Sequence, residues 1–99
     1  MYGLIGRILA VEGRREELVS ILLESTGSLP GCHSYIVARC AEHSDGIRVT
    51  EIWDGPESHK GSLQIEAVRD AIARARPLIA GFDHRFETEP VGGIGLMAQ

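Results

Sequence analysis

Hydrophobic and polar positions change period several times along the chain, and each change marks an element. The run YGLIGRILA at 2–10 is short and apolar and ends at a Glu12-Gly13 turn, which predicts a strand whose Gly3 and Gly6 mark close backbone approach or a bulge. From about Arg14 the spacing turns helical: Leu18, Ile21 and Leu22, with Val19 and Leu23 beside them, make a wide stripe that Gly27 and Pro30 end. CHSYIVARC at 32–40 and GIRVTEIWD at 46–54 return to alternation, two strands joined by a polar hairpin loop at 42–46. Pro56 suits a first helical position with Asp54 or Gly55 as its cap, so a short helix is predicted over 56–63. A longer helix follows from Ile65, where Ile65, Val68, Ile72, Ala75 and Ile79 recur at threes and fours, and Pro77 ends or kinks it. FDHRFETEPV at 82–91 is the last strand, with Phe82, His84 and Phe86 on one face and Asp83, Arg85 and Glu87 on the other. Residues 1–93 form one domain on this reading, and 94–99 an irregular tail.

The order β-α-β-β-α-β is the split-βαβ arrangement, an α+β, ferredoxin-like fold with a four-stranded antiparallel sheet and helices on one face only. The other face should read as polar if it met water. It does not, because Tyr35 and Val37 oppose Ile36, Ala38 and Cys40, and Val49 and Trp53 oppose Ile52. Apolar content on both faces with one layer of helices predicts a second copy over the bare face, as a two-fold homodimer.

Composition narrows the partners. The chain has 99 residues, enough for one core, and is 43% hydrophobic, which suits a packed globule. Its net charge is −4, with 10 Lys and Arg against 14 Asp and Glu and no basic cluster beyond Arg14-Arg15. Nucleic acid and anionic membrane surfaces both need a basic footprint, so neither is expected as a partner. No apolar run approaches the ~18 residues of a membrane-spanning helix. The N-terminus lacks a basic leader and is expected to be folded sequence rather than a signal peptide. Cys32 and Cys40 fall on one strand, ~26 Å apart at ~3.3 Å per residue, beyond disulfide reach. Reduced thiols then predict a cytoplasmic protein.

Candidate chemistry gathers around VTEIWDGPESHKGSL at 49–63. Trp53, the one tryptophan, ends a strand on the face of Ile47, Val49 and Glu51, and His59 follows on the next helix. A Trp wall can hold an aromatic ligand, and imidazole suits proton abstraction near neutrality. Each residue also has a plainer reading. Trp53 at a strand end packs more often than it binds, His59 on a polar helix is more often solvated, and His84 between Phe82 and Phe86 is more often a core histidine. Glu51 between Val49 and Trp53 must be paired or lie at a rim. Four histidines and two cysteines show no metal-ligand spacing, GGIG at 92–95 has no helix behind it, and no hydrolase motif is present, so neither a metal nor a cofactor is expected.

Across residues 2–93, YGLIGRILAVEGRREELVSILLE, PGCHSYIV, VTEIWDGPESHKGSLQIEAVRDAI and ETEPVGG together resemble the antibiotic biosynthesis monooxygenase family. The resemblance implies a dimeric α/β barrel of two ferredoxin-like protomers and, in its best-known branch, cofactor-free oxidation of anthrones or quinols by O2. Carried over by position, Trp53 lines the pocket, His59 stands where the anthrone type has Tyr, and Tyr35 contributes from the second strand. One of Arg69, Arg74 or Arg76 supplies a cation, and Val49 stands where that type has Asn. Val49, Glu51, Arg69, Arg76 and His84 are the candidate substrate contacts; His59, Trp53 and Tyr35 are the candidate catalytic residues. The haem-degrading branch needs an axial His at about Ile72, which cannot ligate iron. The expected activity is thus a cofactor-independent monooxygenase acting on a small phenolic, quinol or anthrone ring. The competing expectations are a dimer that binds such a ligand without turnover, and an interaction protein with Trp53 as dimer core. A cavity shared by Trp53 and His59 separates these from one another.

Overall fold

A computed structural model describes residues 1–27 and 29–96. Its first strand, β1 (Tyr2–Ala10), is central, because both of its neighbours come from later in the chain. The helix α1 (Arg15–Glu24) leads to β2 (Cys32–Arg39) and β3 (Gly46–Trp53), which pair as the predicted hairpin. Then come the short α2 (Pro56–Ser62), the longer α3 (Glu66–Ala75) and β4 (Ile79–Thr88). The four strands form one antiparallel sheet in the order β2-β3-β1-β4. This is the ferredoxin-like α+β arrangement expected from the element order.

The helices pack on one face. Leu18 of α1, Ile47 and Val49 of β3, Ala10 of β1 and Ala75 of α3 are buried together with Leu78. Leu18 and Ile47 are wholly buried, and each opens one of the stripes that the sequence marks out. The last strand begins three residues before its predicted start. Pro77 does end α3, but through one turn of 3-10 helix, Arg76–Leu78, and Ile79 then pairs with Ala10. Ile79 fits a helical stripe and a strand equally well, and the turn decides between them.

A bulge overturns the predicted faces of β4. Ile5 pairs with Phe86 and Arg7 with Asp83, so β4 has one residue more than β1 across this interval. His84 sits in the bulge with φ at 49°, left-handed for a non-glycine residue. Phe82, opposite Ile8, therefore faces the helices, whereas Phe86 faces away from them. Arg85 and Glu87 are returned to the helical side, Glu87 opposite Leu4.

The face without helices carries Ile36 and Phe86, 56% and 58% exposed, around an Arg7–Asp83 pair joined by two 2.7 Å bonds. Both cysteines are free thiols. No helix among the described residues is long and apolar enough to cross a membrane. The tail starts with a turn bridged between Gly93 and Leu96, and residues 97–99 lie outside the described residues.

Candidate functional site

Alternation along β3 sends Val49, Glu51 and Trp53 toward the helices. Trp53 is the last residue of the strand and almost wholly buried. Asp54 and Gly55 turn the chain, Pro56 starts α2 with its fixed φ, and His59 arrives one turn later. The turn is pinned from behind by Gly31, whose carbonyl accepts from Asp54 N at 2.8 Å. Gly31 has φ at 78°, and a Cβ there would lie 2.6 Å from Ser58 Oγ, so only glycine lets β2 and α2 come this close. His59 is thereby held edge-on to Trp53, ring centroids 5.6 Å apart and planes at 66°, with Tyr2 6.1 Å away on its other side.

Glu51 completes the cluster. Trp53 Nε1 donates to Glu51 Oε1 at 3.0 Å, and His59 Nε2 stands 3.8 Å from the same oxygen. Oε2 takes no hydrogen bond among the described residues and is not sealed in. Burial pushes the Glu51 carboxyl above the usual carboxylate range; the Trp53 bond, then the charges of His59 and Arg85, partly offset it. Beside it on β2, Tyr35 is pushed further from ionising, by burial first and by the charges of Glu51 and Cys32 after that. Tyr35 therefore remains a hydrogen-bond donor across the physiological range.

These groups line one end of a cavity of about 300 Å³ between sheet and helices. Apart from Ser25 and Ser62 the remaining walls are apolar, among them Ile21 and Leu22 of α1, Val68 and Ile72 of α3, and Phe82 of β4. A smaller hollow of about 190 Å³ shares Ile8, Tyr35, Glu51 and Phe82 with it and reaches Arg85. Glu51 thus stands on the divide between an apolar chamber and a hollow with a cation in its wall.

Of the residues singled out from sequence, Trp53, His59, Tyr35 and Glu51 meet on the cavity. Val49 lies in the core and reaches only the smaller hollow. Arg69 and Arg76 are exposed and line neither space, because the inward stripe of α3 runs through Val68, Ala71, Ile72 and Ala75. Arg74 is spent on Glu24 at 2.6 Å. His84 is on the bulge, 3.3 Å from Arg48 and outside the cavity. The cation that does approach the site is Arg85; simple alternation groups it with Asp83 and Glu87 on one face, and the bulge parts it from Asp83 and sets it on the helical side. Ile72 lines the cavity where a haem-binding relative would need His. Among the described residues no group of three or more His, Cys, Asp and Glu side chains could hold a metal.

The cavity shared by Trp53 and His59 is what an interaction protein with Trp53 in solid packing would lack. The comparison with known proteins agrees with a ligand-binding frame. The profile of the family described as antibiotic biosynthesis monooxygenase matches residues 1–74. A candidate antibiotic biosynthesis monooxygenase from Chloroflexus aurantiacus is 54% identical over 93% of this chain and 94% of its own, with a TM-score of 0.90. Candidate members from Deinococcus radiodurans (22% identity, 99% and 100% covered, TM-score 0.76) and Nitrosomonas europaea (10%, 92% and 99%, 0.80) share the fold. A comparison with curated proteins finds no match. With three quarters of its length under the family profile and 54% identity to the Chloroflexus protein over the aligned 93% of the chain, the chain belongs to the antibiotic biosynthesis monooxygenase family.

Proposed function

We propose that this protein oxidises a small hydroxylated aromatic, of the phenol, quinol or anthrone type, with O2 in the chamber beside Trp53. The observation that carries this reading is how the chamber's groups are sorted: mostly apolar walls, with its titratable side chains, Tyr35, Glu51 and His59, gathered around Trp53. Such a site takes a flat apolar ring and meets its hydroxyl end with proton-handling groups.

The chemistry closes on substrate and O2 alone. Loss of a proton leaves an electron-rich anion that can pass an electron to O2. One oxygen atom then bonds to carbon and the other leaves as water: an anthrone methylene becomes a carbonyl, and a hydroquinone becomes a hydroxyquinone. All four electrons taken up by O2 come from the substrate, so no further reductant enters the balance. Trp53 forms the end wall, the Glu51–His59 pair handles the proton, and the Tyr35 hydroxyl donates to the developing anion. Arg85 takes the supporting cationic role that the resemblance gave to one of Arg69, Arg74 or Arg76.

A second copy of the chain over the bare sheet face belongs to the same reading. Ile36 and Phe86 stand exposed there, and a partner sheet would bury both. The two free thiols accord with a reducing, cytoplasmic setting.

Oxygen uptake with hydroquinone, menadiol and dithranol, in the presence of chelator, tests the activity. Uptake above the uncatalysed rate that falls several-fold in Trp53→Phe and in His59→Ala is the expected result. No uptake above that rate with any of the three compounds overturns the oxygenase reading.

A further inference from the structure

We propose that Glu51, rather than His59, is the group that accepts the proton from the bound ring, through its free oxygen Oε2. The inference rests on the cavity being the ligand site, and it assigns a role within that site which position and residue type did not reveal.

The two oxygens of Glu51 are in different situations. Oε1 is occupied, accepting from Trp53 Nε1 at 3.0 Å with His59 Nε2 3.8 Å away. That contact anchors Oε1, since the donating indole is almost wholly buried. Oε2 accepts no hydrogen bond among the described residues and is not sealed in, and Glu51 lines both hollows. His59 is placed otherwise. One ring nitrogen approaches Glu51, while its ring stands edge-on to Trp53 and near Tyr2. His59 thus flanks Oε1, and its electrostatic interaction with Glu51 partly offsets the effect of burial on the carboxyl.

The groups facing Glu51 are Tyr35 and Cys32 from β2, His59 from α2, Arg85 from β4, and its own strand neighbour Trp53. Tyr35 stays protonated and so competes for no proton. Among these groups Glu51 is the acceptor that burial makes more basic than an ordinary carboxylate. In the transfer, the O–H of a phenol or quinol, or the methylene C–H of an anthrone, breaks; its electron pair stays on the substrate as the phenolate or anthrolate, and the proton bonds to Oε2. The resulting anion then lies between the Tyr35 hydroxyl and the Arg85 side of the smaller hollow.

This assigns a ligand class to the chamber: uncharged rings bearing a hydroxyl. A carboxylated ring would meet the Glu51 charge, and a ring without a donor would leave Oε2 unpaired.

Three measurements decide it. The first is wild-type affinity for 1-naphthol against 1-methoxynaphthalene, followed by quenching of the single tryptophan at pH 7.5; the hydroxyl compound should bind at least ten-fold more tightly. Equal affinities overturn the proposal without any variant and without turnover. The second is the pH titration of Trp53 emission, which should track Glu51, disappear in Glu51→Gln and persist in His59→Asn with its midpoint moved upward. Persistence in Glu51→Gln overturns the pairing. The third is kcat/KM for dithranol against pH. Glu51→Gln should fall 100-fold or more, while His59→Asn keeps an acid limb that has moved to higher pH. An imidazole base would instead put that limb near pH 6.5 and lose it in His59→Asn, which overturns the proposal. Absence of wild-type turnover sinks the oxygenase reading alone, because the naphthol comparison still decides Glu51.

Discussion

The indole N–H of Trp53 and the carboxylate of Glu51, two residues apart on one face of β3, form a 3.0 Å hydrogen bond beside the cavity. Strand geometry puts i and i+2 side by side, so a Glu-x-Trp sequence builds this pair wherever its face is covered by helices. The carboxylate is drawn into a low-dielectric site, and the donor in the next position limits the cost. The cost is still legible in the raised pKa.

The pair gives a stability prediction with a definite sign. Burial raises the folded-state pKa of Glu51 above its unfolded value. The stability tied to the protonated acid is therefore complete below the unfolded value, about 4.3, and is lost as pH rises through the folded value. Glu51→Gln mimics the protonated acid and keeps an acceptor for Trp53. Its Tm should exceed the wild-type value at pH 7 and converge with it toward pH 4. A Tm difference that does not shrink on acidification would show that the carboxylate carries no burial cost.

Sequence revealed the frame because most elements bury one continuous stripe. Leu18, Ile47, Val49 and Ala75 announce their faces by period alone, and Pro56 announces the helix that carries His59. The trio Glu51, Trp53 and His59 was legible for the same reason. What escaped depends on a single inserted residue. Phe82, His84 and Phe86 alternate as in an ideal strand, and nothing in their types marks the bulge that puts Phe82 and Phe86 on opposite faces. The same bulge parts Arg85 from Asp83, with which simple alternation groups it. Arg69 and Arg76 were misjudged differently, since each follows an inward or near-inward position by one residue, and one step on a helix rotates a side chain by about 100°.

Tyr35 lines both hollows and keeps its proton, so its hydroxyl is a donor waiting for an acceptor. Tyr35→Phe should leave the fold unchanged and weaken binding of 1-naphthol by about five- to ten-fold, on the order of 1 kcal/mol for one hydrogen bond. Fluorescence titration of Trp53 reads this directly. An unchanged affinity would remove Tyr35 from the ligand's contacts.

Gly31→Ala should be among the more damaging small substitutions. Its φ of 78° costs an L-residue about 1–2 kcal/mol, and the new Cβ would meet Ser58 Oγ at 2.6 Å. For a domain of this size each kcal/mol lowers Tm by about 4–8 °C. Ser58→Gly in the same chain should recover the steric part and leave the backbone part. Thermal melts of the two variants separate the contributions, and a Gly31→Ala protein that melts like wild type would show that α2 is not pinned by this contact.

The bare sheet face supplies the last prediction. Phe86 and Ile36 stand exposed on it, and Arg7 and Asp83 satisfy one another, which lowers the cost of burying their charges. A second sheet laid over this face by a two-fold axis would set apolar side chains against their own copies. Phe86→Glu then brings like charges into a dry interface, where each carboxylate also loses its hydration. Sedimentation equilibrium should give a wild-type dimer and a monomeric Phe86→Glu protein at the same micromolar concentration, with unchanged far-UV circular dichroism. Because the cavity lies on the opposite side of the sheet, its ligand affinity should survive in the monomer. A wild-type protein that sediments as a monomer would mean that water, and not a second copy, meets Ile36 and Phe86.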